Sequence, residues 1–204
     1  MHISEGILSL PILAGGGVTA VIGTAIGLKR IDNDHIMETA LLSSAFFVAS
    51  LIHIPLGPGS VHLVLNGLVG ILLGWASVPA IATALFLQAL LFGFGGLTVL
   101  GVNIVIMAAP AVAVSFLFGS MVRKPGKSQL LGAFLAGLGA ILLSTLLLAL
   151  ALVGTDSSFL TTAKLLLVAQ LPLMPLEGLI TLFVFSFLAK VQPDLLQLTI
   201  TSKS

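Results

Sequence analysis

Between Glu38 and Arg123 the chain carries no Asp, Glu, Lys or Arg, and a second such gap runs from Lys127 to Asp156. Long apolar runs fill these gaps, separated only by short polar or glycine-proline segments. A soluble domain carries about 25% charged residues, against 7% here, with mean hydropathy +1.24. So few charges cannot clothe a core of this size, so lipid must solvate much of the surface. The fold class is therefore all-α, a polytopic membrane protein built as one integral membrane domain over residues 1–204.

About 20 apolar residues cross the roughly 30 Å hydrocarbon layer. Residues 7–28, 39–54, 61–76, 79–92, 102–121, 130–152 and 176–189 read as spans, with a short extra helix over 161–171. The expectation is about seven transmembrane helices. Lys29/Arg30 and Arg123/Lys124/Lys127 end or link spans and mark the cytoplasmic side, which puts the amino terminus outside. No secretory signal precedes the first span. Glycines at 93, 95, 96 and 101 are too dense for a regular helix; they let backbone approach backbone or a ligand closely, and irregular backbone at membrane depth belongs in a protein interior or a cavity.

Several functions are excluded. Net charge is +1 and no basic cluster is larger than Arg123, Lys124 and Lys127, so nothing points to nucleic acid. Without cysteine there is no disulfide, thiolate metal site or thiol nucleophile. The chain has no phosphate loop and no His-Glu-x-x-His pattern. An intramembrane enzyme is disfavoured for that reason, and any ATP energy must come from another chain.

Chemistry concentrates at the start. In Met1-His2-Ile3-Ser4-Glu5-Gly6 a free amine precedes a histidine. The Met1 α-amine, the deprotonated His2 amide nitrogen and His2 Nδ1 can close adjoining chelate rings on one ion. Histidine is too large for efficient removal of the initiator, so Met1 should be retained. Such a nitrogen-rich, nearly planar set suits Ni(II) or Cu(II), with Co(II) accessible. The plain alternative is a frayed terminus. His62 lies on the same side and is the candidate fourth donor, or else a helix cap; His53 is the next candidate, while His35 belongs to the cytoplasmic loop.

Asn66 falls four residues after His62, hence on the same helical face. Gln88 and Asn103 flank the glycine-rich stretch. All three either orient the metal-binding groups or tie helices together. Glu177 is a helix-start carboxylate or a member of an inner network, and Glu5 either bonds the terminal loop or is a solvated charge.

Three segments carry a family likeness. They are Met1-His2-Ile3-Ser4-Glu5-Gly6, then Pro58-Gly59-Ser60-Val61-His62-Leu63 with Asn66-Gly67-Leu68, and Gln88-Ala89-Leu90-Leu91-Phe92 with Gly95-Gly96-Leu97-Thr98 and Leu100-Gly101-Val102-Asn103. Together they resemble the nickel/cobalt substrate-binding membrane subunit of energy-coupling-factor transporters, and the nickel members more closely.

The resemblance implies a seven-helix subunit whose amino terminus dips into the bundle from outside, with Met1, His2 and His62 holding the ion. It implies Ni(II) or Co(II) as transported substrate and no organic cofactor. It also implies a transmembrane coupling subunit, cytoplasmic ABC-type ATPase subunits and a small auxiliary membrane subunit, in a prokaryotic inner or plasma membrane. The chain stops soon after its last span, so that auxiliary would be separate. The competing class is a stand-alone secondary divalent-metal transporter, which would need intramembrane ionisable residues for coupling; Glu177 is nearly the only one.

Overall fold

The structure, a computed structural model, describes residues 2–51, 53–56 and 59–191, with Asp34 and the residues of two short strands described by their backbone alone. Helix α1 (Leu10–Leu28) begins after Ser9 with Pro11 in its first turn, where a missing N–H costs nothing. A turn over Asn33–His35 leads into α2 (Ile36–Ala49), then strands β1 (His53–Leu56) and β2 (Gly59–His62). Next come α3 (Asn66–Leu73), a tight turn over Gly74–Ala76 and α4 (Ser77–Phe92). The chain continues through α5 (Leu100–Val122), α6 (Lys127–Thr155), α7 (Leu160–Gln170) and α8 (Leu173–Val191).

Among the described residues five helical stretches are long and apolar enough to cross a membrane, not about seven: Leu10–Leu28, Asn66–Phe92, Leu100–Val122, Lys127–Thr155 and Leu173–Val191. Two of the expected spans fall away for one physical reason. Residues 50–65 are apolar, and hydropathy alone does not separate helix from strand. Pro55 pushes the residue before it into extended backbone, and β1 and β2 pair antiparallel there. That leaves α2 with 14 residues, about 21 Å at 1.5 Å per residue, and α3 with 8. The span expected over 61–76 starts only at Asn66 and merges with the next one into a single stretch interrupted at Gly74.

Helix α5 is the axis of the bundle and packs against α1, α3, α4 and α6. Its buried face includes Val102, Ile106, Met107, Ala111 and Val114, and Pro110 sits inside it without ending it. α1 is peripheral: only Ala20 and Gly27 are buried on it, as expected of a helix facing lipid on most sides. α3, by contrast, is buried from Asn66 to Leu72. It fits because Gly67 lies against the backbone of Ala136 and Gly137, where a Cβ would come within 2.6 Å of both the Ala136 carbonyl oxygen and the Gly137 Cα. Small residues at such seams let helix backbones approach closely.

Candidate metal-binding end of the bundle

Residues 2–9 fold back against the α4–α5 connection instead of fraying. His2 is 6% exposed and Ile3 is fully buried. Asn103, in the first turn of α5, takes hold of Ile3 twice. The Ile3 N–H donates to Asn103 Oδ1 at 2.9 Å, and Asn103 Nδ2 donates to the Ile3 carbonyl at 3.1 Å. One side-chain amide thus does for the segment what a neighbouring strand would do, satisfying a buried donor and acceptor together.

Glu5 supplies a second fastening. Its Oε1 accepts from the Thr98 N–H at 2.9 Å and from the Thr98 hydroxyl at 3.0 Å. These bonds hold the Glu5 carboxyl below its ordinary pKa, because they favour the charged form. The glycines between α4 and α5 now have a reason. Gly95 and Gly96 have φ of +76° and +102°, and a Cβ on Gly95 would sit 2.7 Å from Asn103 Nδ2 and 3.5 Å from His2 Cβ. On Gly96 it would run into the Glu5 carboxylate. The Phe94 ring lies 6.3 Å from the His2 imidazole, tilted by 45°, and stacks on Phe92. Where the segment enters α1, the Ser9 N–H donates to Thr155 Oγ1 at 3.2 Å.

Of the three residues expected to orient metal-binding groups, Asn103 is brought against the terminal segment. Gln88 is buried and donates through Nε2 to Ser50 Oγ, joining α4 to the end of α2. Asn66 donates to the Met107 carbonyl at 3.2 Å and to Ser144 Oγ at 2.9 Å, joining α3 to α5 and α6. Neither Gln88 Oε1 nor Asn66 Oδ1 has a hydrogen-bond partner among the described residues. His62 ends β2 and is not on α3, so its four-residue spacing to Asn66 does not place the two on one helical face. The backbone instead sets His62 opposite His53. His35 precedes α2, beyond the far end of α1 from His2. Met1 and the side chains of His53 and His62 lie outside the described residues.

The Glu5–Thr98 pair and the hold of Glu177 on the turn before α3 are not legible in the sequence, since each joins residues about a hundred positions apart. The available signals were a carboxylate inside an apolar run at 177 and Glu5 beside the terminal loop, neither of which names its partner. Among the described residues no three His, Cys, Asp or Glu side chains come together.

Long apolar helices, with a buried segment of irregular backbone fastened by polar groups at one end, define a multi-pass membrane protein. Residues 2–195 match the family described as the cobalt uptake substrate-specific transmembrane region, and the chain belongs to that family. It is thus a nickel/cobalt capture subunit of energy-coupling-factor metal uptake transporters, a multi-pass transport subunit of the prokaryotic inner membrane.

A protein of Haemophilus influenzae with a proposed metal-transport role is 44% identical over 98% of both chains. A fused nickel transport protein of Rhodobacter capsulatus is 36% identical over 56% of this chain and 35% of its own length. The crystal structure of a transition metal transporter superposes with a TM-score of 0.74 at 27% identity, covering 100% of both chains.

Proposed function

We propose that the chain takes up Ni(II), and Co(II) less tightly, through four nitrogens: the Met1 α-amine, the His2 amide nitrogen, His2 Nδ1 and an imidazole nitrogen of His62. The observation that carries this reading is the burial of His2 next to an Ile3 backbone gripped at both its N–H and its carbonyl by Asn103. A terminus with no task would not be fastened inside the protein, where each ordered residue costs about 1–2 kcal/mol of backbone entropy. Use of a deprotonated amide makes the set nearly planar, which favours Ni(II) over Zn(II), an ion that prefers a tetrahedron. The terminus faces outside, and the single membrane domain of residues 1–204 hands the ion inward. A transmembrane coupling subunit and cytoplasmic ABC-type ATPases drive that step, with a small auxiliary membrane subunit beside them. Gln88 and Asn66 hold the surrounding helices in register.

Binding titrations on the purified protein test the reading. His2→Ala, His62→Ala and an extension placed before Met1 should each weaken Ni(II) binding by about 100-fold or more, since even residues that only orient ligands cost about 10–100-fold. His35→Ala should change nothing. Tight binding that survives the extension would overturn the chelate.

A further inference from the structure

Glu177 lies on α8 and is fully buried among apolar helices. Its carboxylate accepts the N–H of Val64 through Oε1 and the N–H of Leu65 through both oxygens, at 3.2 Å each. These two amides follow His62 by two and three positions, where β2 has ended and α3 has not begun. Leu65 has φ +57°, the one non-glycine with a positive φ among the described residues. A branched side chain in that region costs about 1–2 kcal/mol and persists only where its surroundings impose it. The carboxylate supports it, since in this turn the two adjacent amides both point at one acceptor group.

The backbone that carries this carboxylate is itself closely packed. A Cβ on Gly137 of α6 would sit 2.6 Å from the Glu177 carbonyl oxygen, and a Cβ on Gly67 of α3 would sit 2.6 Å from Gly137 Cα. Three helices thus meet in backbone contact beside the clamp. A buried carboxylate is an expensive way to finish a helix start that Ser or Asn would cap locally. Its distinguishing effect is to fix, from α8, the point at which the His62 strand leaves the hairpin.

We infer that Glu177 is a positioning residue for metal capture: it holds the Val64–Leu65 turn so that His62 is presented to the ion. The inference rests on the reading of His62 as a ligand and adds the device that places it. Glutamine at 177 would keep one acceptor and turn an NH2 toward the second amide, so the turn would loosen without a large change in volume.

The test is a double-mutant cycle on the full chain, with Ni(II) titration and the Ni(II) d–d absorption band as readouts. E177Q should weaken binding about 10–100-fold and shift the band toward that of H62A. E177Q combined with H62A should lose no more than H62A alone, because residues acting through one another are not additive. L65G, which makes the left-handed turn free of strain, should restore part of the E177Q loss. If E177Q does not yield a monodisperse protein, E177D replaces it under the same expectations. Additive losses, or a band that stays at the wild-type position, would overturn the positioning role. If H62A loses binding while E177Q keeps it, this inference falls and the chelate stands; if H62A keeps binding, His62 is no ligand and both fall.

Discussion

Asn103 and Ile3 exchange two hydrogen bonds across a hundred residues of chain, at 2.9 and 3.1 Å, with both partners buried. The pairing converts a chain terminus into part of the bundle. It also sets the direction in which the backbone just before Ile3 must run, which is where His2 lies.

Asn103→Leu removes both bonds and leaves a buried donor and acceptor unsatisfied, at about 1–3 kcal/mol for the lost partner. Nickel affinity should fall about 10–100-fold, read by titration. Asn103→Asp keeps an acceptor for the Ile3 N–H but sets a carboxylate oxygen against the Ile3 carbonyl. It should therefore bind no better than the leucine variant.

Gly96→Ala tests the glycine loop. Its φ of +102° is strained for any residue with a Cβ, and that Cβ would meet the Glu5 carboxylate. The expected result is release of the Glu5–Thr98 fastening, seen as faster amide hydrogen exchange over residues 2–6, together with weaker metal binding. Gly15, with open space around it, is the control: Gly15→Ala should leave both unchanged.

The pH dependence has a definite sign. Glu5 is held below its ordinary pKa by the Thr98 N–H and hydroxyl. Its fastening is therefore complete above the ordinary carboxylate pKa and is lost as pH falls through the lowered value. Thr98→Val removes the hydroxyl donor and should move the Glu5 pKa upward, measured by carboxyl 13C shifts. Metal affinity should also fall with pH because the amide ligand must lose a proton. Glu5→Gln abolishes the first effect and should leave the second.

Gly70→Val probes packing away from the metal. Gly70 lies against the Ala111 backbone on α5, so a branched side chain must force α3 and α5 apart. Overpacking of this kind costs about 1–3 kcal/mol, and the melting temperature in detergent should drop. The protein that remains folded should still bind nickel.

Much of the architecture was readable from hydropathy. α1, α5, α6 and α8 fall within a few residues of the apolar runs expected over 7–28, 102–121, 130–152 and 176–189. The region from Ser50 to Leu65 was not readable as a hairpin. Its apolar content matches that of its helical neighbours, and only the prolines and glycines hinted at extended backbone. The importance of residues 2–5 was visible as chemistry, and the glycines at 95 and 96 as a place of close approach. Which polar residue would meet the terminus was not visible. Asn66, Gln88 and Asn103 are equivalent as sequence signals, yet only Asn103 reaches Ile3, because tertiary packing alone decides which helix end the segment lies across.

The fastening of Ile3 to Asn103 bears on how the protein is made. Residues 2–5 emerge from the ribosome well before their partners at Thr98 and Asn103. Until α5 has been inserted, this segment lacks the groups that fasten it, and closing so long a loop is slow. Residues made early are therefore completed late, and a nascent chain arrested before α5 should carry every atom of His2 and still lack the Asn103 hold beside it.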